Sequence, residues 1–245
     1  MKKLPKWLRI LLYAAGSLLL IGFIAGLIAH ESRPTGQSGP EADVLANKMM
    51  AAVNKAAWDS TGAISWNFGG RNDHLWDKKR HLARVKWGEN EVYVDINKRT
   101  GVALIKGERV EGKKADKLVD KAWKAWVNDA FWLNPVVKAF DGGTSRSIVK
   151  GSDGKNGLLV SYGSGGATPG DAYLWILDEQ CRPVAWKMWV KIIPIGGIRV
   201  PWEGWTSLPT GAMVAQSHGI LQLTNIQAAG SLEELVGEDP FSILQ

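Results

Sequence analysis

His30, His74, His81, His218 and the single Cys181 are the side chains best suited to metal or nucleophile chemistry, and their spacing decides how much of it they can do. His74 and His81 stand seven apart with Asp77 between them. Metal sites favour H-x3-H on a helix, or clustered Cys and His. In an extended segment side chains an odd number apart point to opposite faces, so His74 and His81 are read as polar or structural residues. His218 directly follows Ser217, but adjacent side chains diverge, and no G-x-S-x-G turn is present to expose a serine nucleophile. A hydrolase using His74 with Asp77, or His218, is therefore an alternative, and the reading leans away from an enzyme. Cys181 has no partner in the chain, so no intrachain disulfide can form. The GSGGATPG run at 163–170 lacks the lysine and the glycine spacing of a phosphate loop, and it reads as a surface turn. No cofactor is implied. Asp171 is expected to turn the backbone before a strand, and Asp129 to do the same or to pair with Lys124 or Lys138.

Charge excludes one class of partner. The formal charge is +6, yet residues 1–34 hold five basic residues against Glu31, while the remaining chain carries 25 basic and 23 acidic side chains. Nucleic-acid binding needs a basic stripe on the folded domain. The lysines from Lys113 to Lys124 alternate with Asp116 and Asp120, which is the pattern of a solvated helix face.

The elements that must position these residues begin with an uncharged apolar run at 10–29. Twenty helical residues rising about 1.5 Å each span about 30 Å, the thickness of a bilayer's hydrocarbon core. Lys2, Lys3, Lys6 and Arg9 flank its start, which by the positive-inside rule leaves the N-terminus in the cytoplasm. The run is longer than a signal-peptide core, and Leu27 is bulky where a cleavage site wants a small residue, so a retained signal anchor is expected. This places a single-pass protein in the inner (cytoplasmic) membrane, with its C-terminal domain in the periplasm or outside the cell. The expected organisation is a basic flank and transmembrane anchor at 1–30, a polar linker at 31–40, and one extracytoplasmic domain at 41–245.

Within that domain, Ser38 and Glu41 have capping-box spacing ahead of an amphipathic helix over 41–57. Period-two alternation then predicts an antiparallel meander through HLARVKW, EVYVDIN and VALIK. From Lys113 the period becomes helical, with Val119, Trp123, Trp126 and Ala130 on one face, until Asn134 and Pro135 interrupt it. Further strands are expected at 158–162, 172–177, 184–193, 197–200 and 220–226, and SLEELVG reads as a short closing helix. In the 184–193 strand Trp186, Met188 and Val190 share one side, and Trp189 faces the other, where it must be wet, interfacial or covered. The fold class expected is α+β: an N-terminal transmembrane helix, then a strongly curved antiparallel sheet, a half-barrel, with helices packed on its concave face.

Three segments carry a family resemblance: WVNDAFWLNP (126–135), TPGDAYLW (168–175) and PVAWKMWV (183–190), with His74-Leu75-Trp76-Asp77 upstream. Together they resemble an uncharacterised family of bacterial envelope proteins over about residues 60–195. That family is similar to the LolA/LolB lipoprotein-sorting fold, an open half-barrel lidded by helices over an apolar cavity. The resemblance implies binding of a lipid, an acyl chain or a lipoprotein.

Tryptophan supports the same expectation, since twelve of the 13 follow residue 30. Each can bury about 150–250 Å² but brings an N–H that needs a partner. Trp66, Trp87, Trp123, Trp126, Trp175 and Trp186, with Val94, Ile96 and Met188, are the candidate ligand-binding wall. Trp202 and Trp205, in IPIGGIRVPWEGW, are expected on a rim loop near the membrane. The function expected is a membrane-anchored extracytoplasmic protein that binds a lipid or lipidated ligand in an apolar cavity. The alternative is an envelope scaffold or interaction module whose tryptophans fill a solid core.

Overall fold

Alternating side chains between residues 63 and 110 fold, in the computed structural model, as six consecutive antiparallel strands: β1 (Ala63–Phe68), β2 (Asn72–Asp77), β3 (Leu82–Trp87), β4 (Asn90–Asp95), β5 (Thr100–Ile105) and β6 (Glu108–Val110). The structure describes residues 5–151, 154–164 and 169–245. Ala83 lies opposite Val94, and Val85 opposite Val92, so the inner face of this meander is apolar and buried. Gly88 turns β3 into β4 with φ 53, a conformation glycine adopts without a Cβ penalty. At Gly101 a side chain would overlap the carbonyl of Tyr93 on the neighbouring strand, so glycine lets β4 and β5 pair closely.

The chain then crosses the sheet as α4 (Gly112–Leu133), named after α1 (Lys6–Ala29), α2 (Pro40–Ala52) and α3 (Lys55–Ser60). Val119, Ala122, Trp126, Ala130 and Leu133 form its buried stripe, and it rests on β3, β4 and β5. Five more strands make a second antiparallel sheet: β7 (Thr144–Lys150), β8 (Asn156–Tyr162), β9 (Ala172–Leu177), β10 (Pro183–Trp189) and β11 (Ile198–Pro201). The chain returns to the first sheet through β12 (Glu203–Ser207), β13 (Met213–His218) and β14 (Leu221–Ala229), and β14 pairs with β1. The large sheet thus runs β12-β13-β14-β1-β2-β3-β4-β5-β6, and the small one β11-β10-β9-β8-β7.

One continuous apolar core joins both sheets to α2 and α4. A smaller cluster of Ala63, Leu75, Tyr93, Leu232 and Phe241 covers the opposite face of the large sheet. There α5 (Leu232–Val236) begins at Ser231, whose hydroxyl accepts from the Glu234 amide, as the SLEELVG pattern predicts.

Several expectations are corrected. The strongly curved half-barrel is replaced by a mostly β architecture of two separate antiparallel sheets, neither closed nor strongly curled. Among the described residues no strand pairing joins the two sheets, so they do not continue one surface, and α4 fills the chain between β6 and β7. The transmembrane anchor, with its single-pass inner-membrane location and its membrane contact through 10–29, is also corrected. Among the described residues no helix is long and apolar enough to cross a membrane. Side chains at 8–10, 12, 19–25 and 27 of α1 lie outside the described residues. The C-terminal end of α1 instead meets protein: Gly26 approaches Ile195, and the Gly196 amide donates to His30 Nδ1 at 3.0 Å.

Three local readings also change. Helix α2 starts at Pro40 with no side-chain cap, and the expected 41–57 helix breaks at Asn54, whose backbone is left-handed and whose side chain accepts from the Ala57 amide to cap α3. The strand at 184–193 ends at Trp189. The 31–40 linker lies along the small sheet: Gln37 bridges Ile148 on edge strand β7, Lys187 pairs with Glu31 at 2.6 Å, and Trp189 Nε1 donates to the Glu31 carbonyl at 2.8 Å. That linker is what covers Trp189.

Candidate functional site in the aromatic interior

The nine candidate wall residues fall into two groups within the one core. Trp66 from β1, Val94 and Ile96 from β4 and its turn, and Trp126 from α4 are buried between the large sheet and the helix. Trp175, Trp186 and Met188 are buried on the inner face of the small sheet. Trp87 and Trp123 are only half-buried at the rim, each under a cation. Lys121 lies 4.7 Å from the Trp87 ring and Arg99 3.8 Å from that of Trp123, whose Nε1 donates to the Ile96 carbonyl at 3.0 Å. A surface hollow of about 220 Å³, lined by Arg99, Gly101, Asp116, Asp120 and Trp123, opens there and not between the sheets.

Around these residues the structure assembles partners that periodicity alone did not identify. The cross-strand neighbour of Trp66 is His74, whose ring stacks on it at 4.5 Å. His74 Nε2 donates to Asp129 Oδ2 at 2.8 Å, and the same carboxylate accepts from Asn72 at 2.7 Å and from Asn128 at 2.9 Å. Asp129 therefore ties the C-terminal half of α4 to β2, and neither Lys124 nor Lys138 is its partner: Lys124 pairs with Asp120 and Lys138 with Asp141. Trp76 meets Trp126 edge-on at 5.2 Å. Asp171 accepts from the Lys191 amide at 3.0 Å and so joins the start of β9 to the end of β10.

The second group is denser. Trp186 lies 4.9 Å from both Trp132 and Trp175 and 5.0 Å from Trp202, and Trp202 lies 4.0 Å from His218. Phe131, Tyr162 and Tyr173 extend the cluster, and burial raises both tyrosine pKa values well above the ordinary range. Trp202 is 2% exposed, so the expectation of an interfacial rim is corrected: its segment forms β11, β12 and the connector between the sheets. Trp205 is half-buried and donates to the Pro183 carbonyl at 2.9 Å.

Polar satisfaction inside this aromatic volume is incomplete. Among the described residues, the buried Nε1–H groups of Trp66, Trp76, Trp126, Trp186 and Trp202 have no acceptor, and His74 Nδ1 and both ring nitrogens of His218 have no hydrogen-bond partner. Native interiors leave few such groups, and each costs about 1–3 kcal/mol when nothing pairs with it. Burial pushes the His218 imidazole down to about 4 from 6.5, so it is neutral near pH 7.

His74 and Asp77, paired in the hydrolase alternative, do not bond to each other. Asp77 accepts from Arg80 Nε at 2.6 Å and caps the Lys79 and Arg80 amides, while His74 turns to Asp129. His218 belongs to the other aromatic group. Among the described residues no group of three or more His, Cys, Asp or Glu side chains comes together to hold a metal ion. The loop at 165–168, which includes Thr168 of the TPGDAYLW resemblance, lies outside the described residues. No family model matches the chain, and no curated protein matches it.

Proposed function

We propose that this chain is a non-catalytic binding protein that receives an apolar ligand with acceptor oxygens between its two sheets and α4. One observation carries the reading: five buried indole N–H groups, those of Trp66, Trp76, Trp126, Trp186 and Trp202, find no acceptor among the described residues. A ligand that supplies oxygens to these donors, and hydrocarbon to the rings beside them, removes the penalty of leaving them unpaired. The acyl or lipid class of ligand follows the envelope-family resemblance of segments 126–135 and 183–190, and is proposed on that footing. Burying about 16 methylenes would contribute about 13 kcal/mol gross, before ordering costs.

A second reading is favoured by a different observation. The rings of Trp132, Trp175, Trp186 and Trp202 already touch one another at 4.9–5.2 Å, as they would in the filled core of a partner-binding module. On the first reading those rings part to admit the ligand; on the second they stay in contact.

Native mass spectrometry of the full chain, with a titration of its tryptophan emission by a fluorescent acyl probe, separates the two. Adducts of lipid mass and saturable quenching are expected. A clean apo mass with unchanged emission overturns ligand binding and leaves the interaction module.

A further inference from the structure

Three neighbouring residues where the two sheets adjoin carry four of the unpartnered polar atoms. Trp186 stands on β10 of the small sheet, His218 closes β13 of the large sheet, and Trp202 sits on the connector between them, its own amide bonded to the Val184 carbonyl at 2.9 Å. The three side chains are 0%, 2% and 2% exposed. Their rings form a chain, 5.0 Å from Trp186 to Trp202 and 4.0 Å from Trp202 to His218, with Trp132 against both ends at 4.9 and 5.7 Å. Among the described residues both indole Nε1–H groups and both imidazole nitrogens lack a hydrogen-bond partner.

We infer that Trp186, Trp202 and His218 form the polar end of the ligand site and select an uncharged head group that both accepts and donates hydrogen bonds, such as the ester and hydroxyl of a monoacylglycerol, over a free carboxylate. This inference rests on the binding reading above. An indole donates only, and a neutral imidazole donates from one nitrogen and accepts at the other. The cluster therefore offers three donors and one acceptor. An ester carbonyl takes donors, and a hydroxyl satisfies the remaining lone pair. Among the described residues no side chain donates a hydrogen bond to the imidazole, and its shell is aromatic. A carboxylate placed there would have only the His218 imidazole as a counter-ion, whose charged form burial disfavours, and a buried charge imperfectly paired is strongly unfavourable.

The test uses the full chain, labelled with 15N at its indoles, and three probes of equal chain length: a C16 monoacylglycerol, the C16 alcohol and palmitate at pH 8. The monoacylglycerol should bind at least tenfold more tightly than palmitate. The Trp186 and Trp202 indole N–H signals, assigned by W186F and W202F, should shift downfield with it. H218F should cut monoacylglycerol affinity about tenfold and leave palmitate affinity unchanged. If H218F does not fold, the two indole shifts in the unmodified chain decide the matter. Equal affinity for palmitate overturns the head-group inference while ligand binding stands. Unmoved indole signals that show contacts to water mark an internal hydration site and overturn it as well. Binding of none of the three probes overturns the parent reading.

Discussion

The carboxylate of Asp129 on α4 accepts from His74 Nε2 on β2 at 2.8 Å, and both side chains are almost wholly buried. This contact fixes the helix over the sheet, and Asn72 and Asn128 complete it from either side. Replacing Asp129 with alanine leaves the buried His74 donor without this acceptor, along with the less buried amides of Asn72 and Asn128. Urea denaturation should show D129A destabilised by about 3 kcal/mol or more, and D129N by less, since its amide oxygen still accepts. A D129A midpoint equal to that of the unmodified chain would show that the contact does not hold α4.

Acid should weaken the fold through His218. The folded protein keeps this imidazole neutral down to about pH 4, whereas in the unfolded chain it takes up a proton near 6.5. The unfolded state therefore binds more protons across that window, and stability falls as pH drops through it, by about 3 kcal/mol in all. Denaturation midpoints measured between pH 7 and 4 should show this slope, and H218F should flatten it.

Lys78 predicts a rise in stability with alkali. Its ammonium donates to the Trp58 carbonyl and lies 4.5 Å from the Trp58 ring, where burial lowers its pKa from 10.5 to about 8. As pH climbs through about 8 the folded state releases this proton before the unfolded chain does, so stability increases. Tyr93, held protonated to about 12 against an ordinary 10, reverses the trend once pH exceeds 10. Thermal melts from pH 7.5 to 9.5 should rise for the unmodified chain and stay flat for K78M.

Tryptophans at the rim and in the centre should respond differently. Trp123 is half-buried, and W123F removes one hydrogen bond to Ile96, a cost of about 1 kcal/mol. Trp186 is fully buried among the rings of Phe131, Trp132, Tyr173, Trp175 and Trp202, and W186A should cost about 3–5 kcal/mol by leaving a cavity. Equal losses at the two positions would contradict the burial pattern.

Alternation and helical period reveal a local face, and where that was enough the reading of the chain held. The β3–β5 meander, the Val119–Ala130 stripe of α4 and the inward side of Trp175 and Trp186 all follow from it. Curvature does not, because period two says which side a residue points to and nothing of how a sheet closes. Strand β2 went unassigned because His74 and Trp76 break any simple apolar alternation, and with it went the Trp66–His74 stack. Trp202 was misplaced because it occupies a single connector position, where no period exists to read. Asp129 was visible within a resembling segment, but its partner lies 55 residues away and only tertiary structure brings them together.

The pairing of Gln37 with Ile148 has a practical outcome for anyone shortening this chain. Gln37 and Ile148 exchange two backbone hydrogen bonds, at 2.8 and 2.9 Å, along the outermost strand of the small sheet. Cut away before Pro40, that strand presents bare amides and carbonyls to solvent, an invitation to pair with another molecule. A fragment starting at Pro40 should self-associate in sedimentation runs at concentrations where the longer protein stays monodisperse.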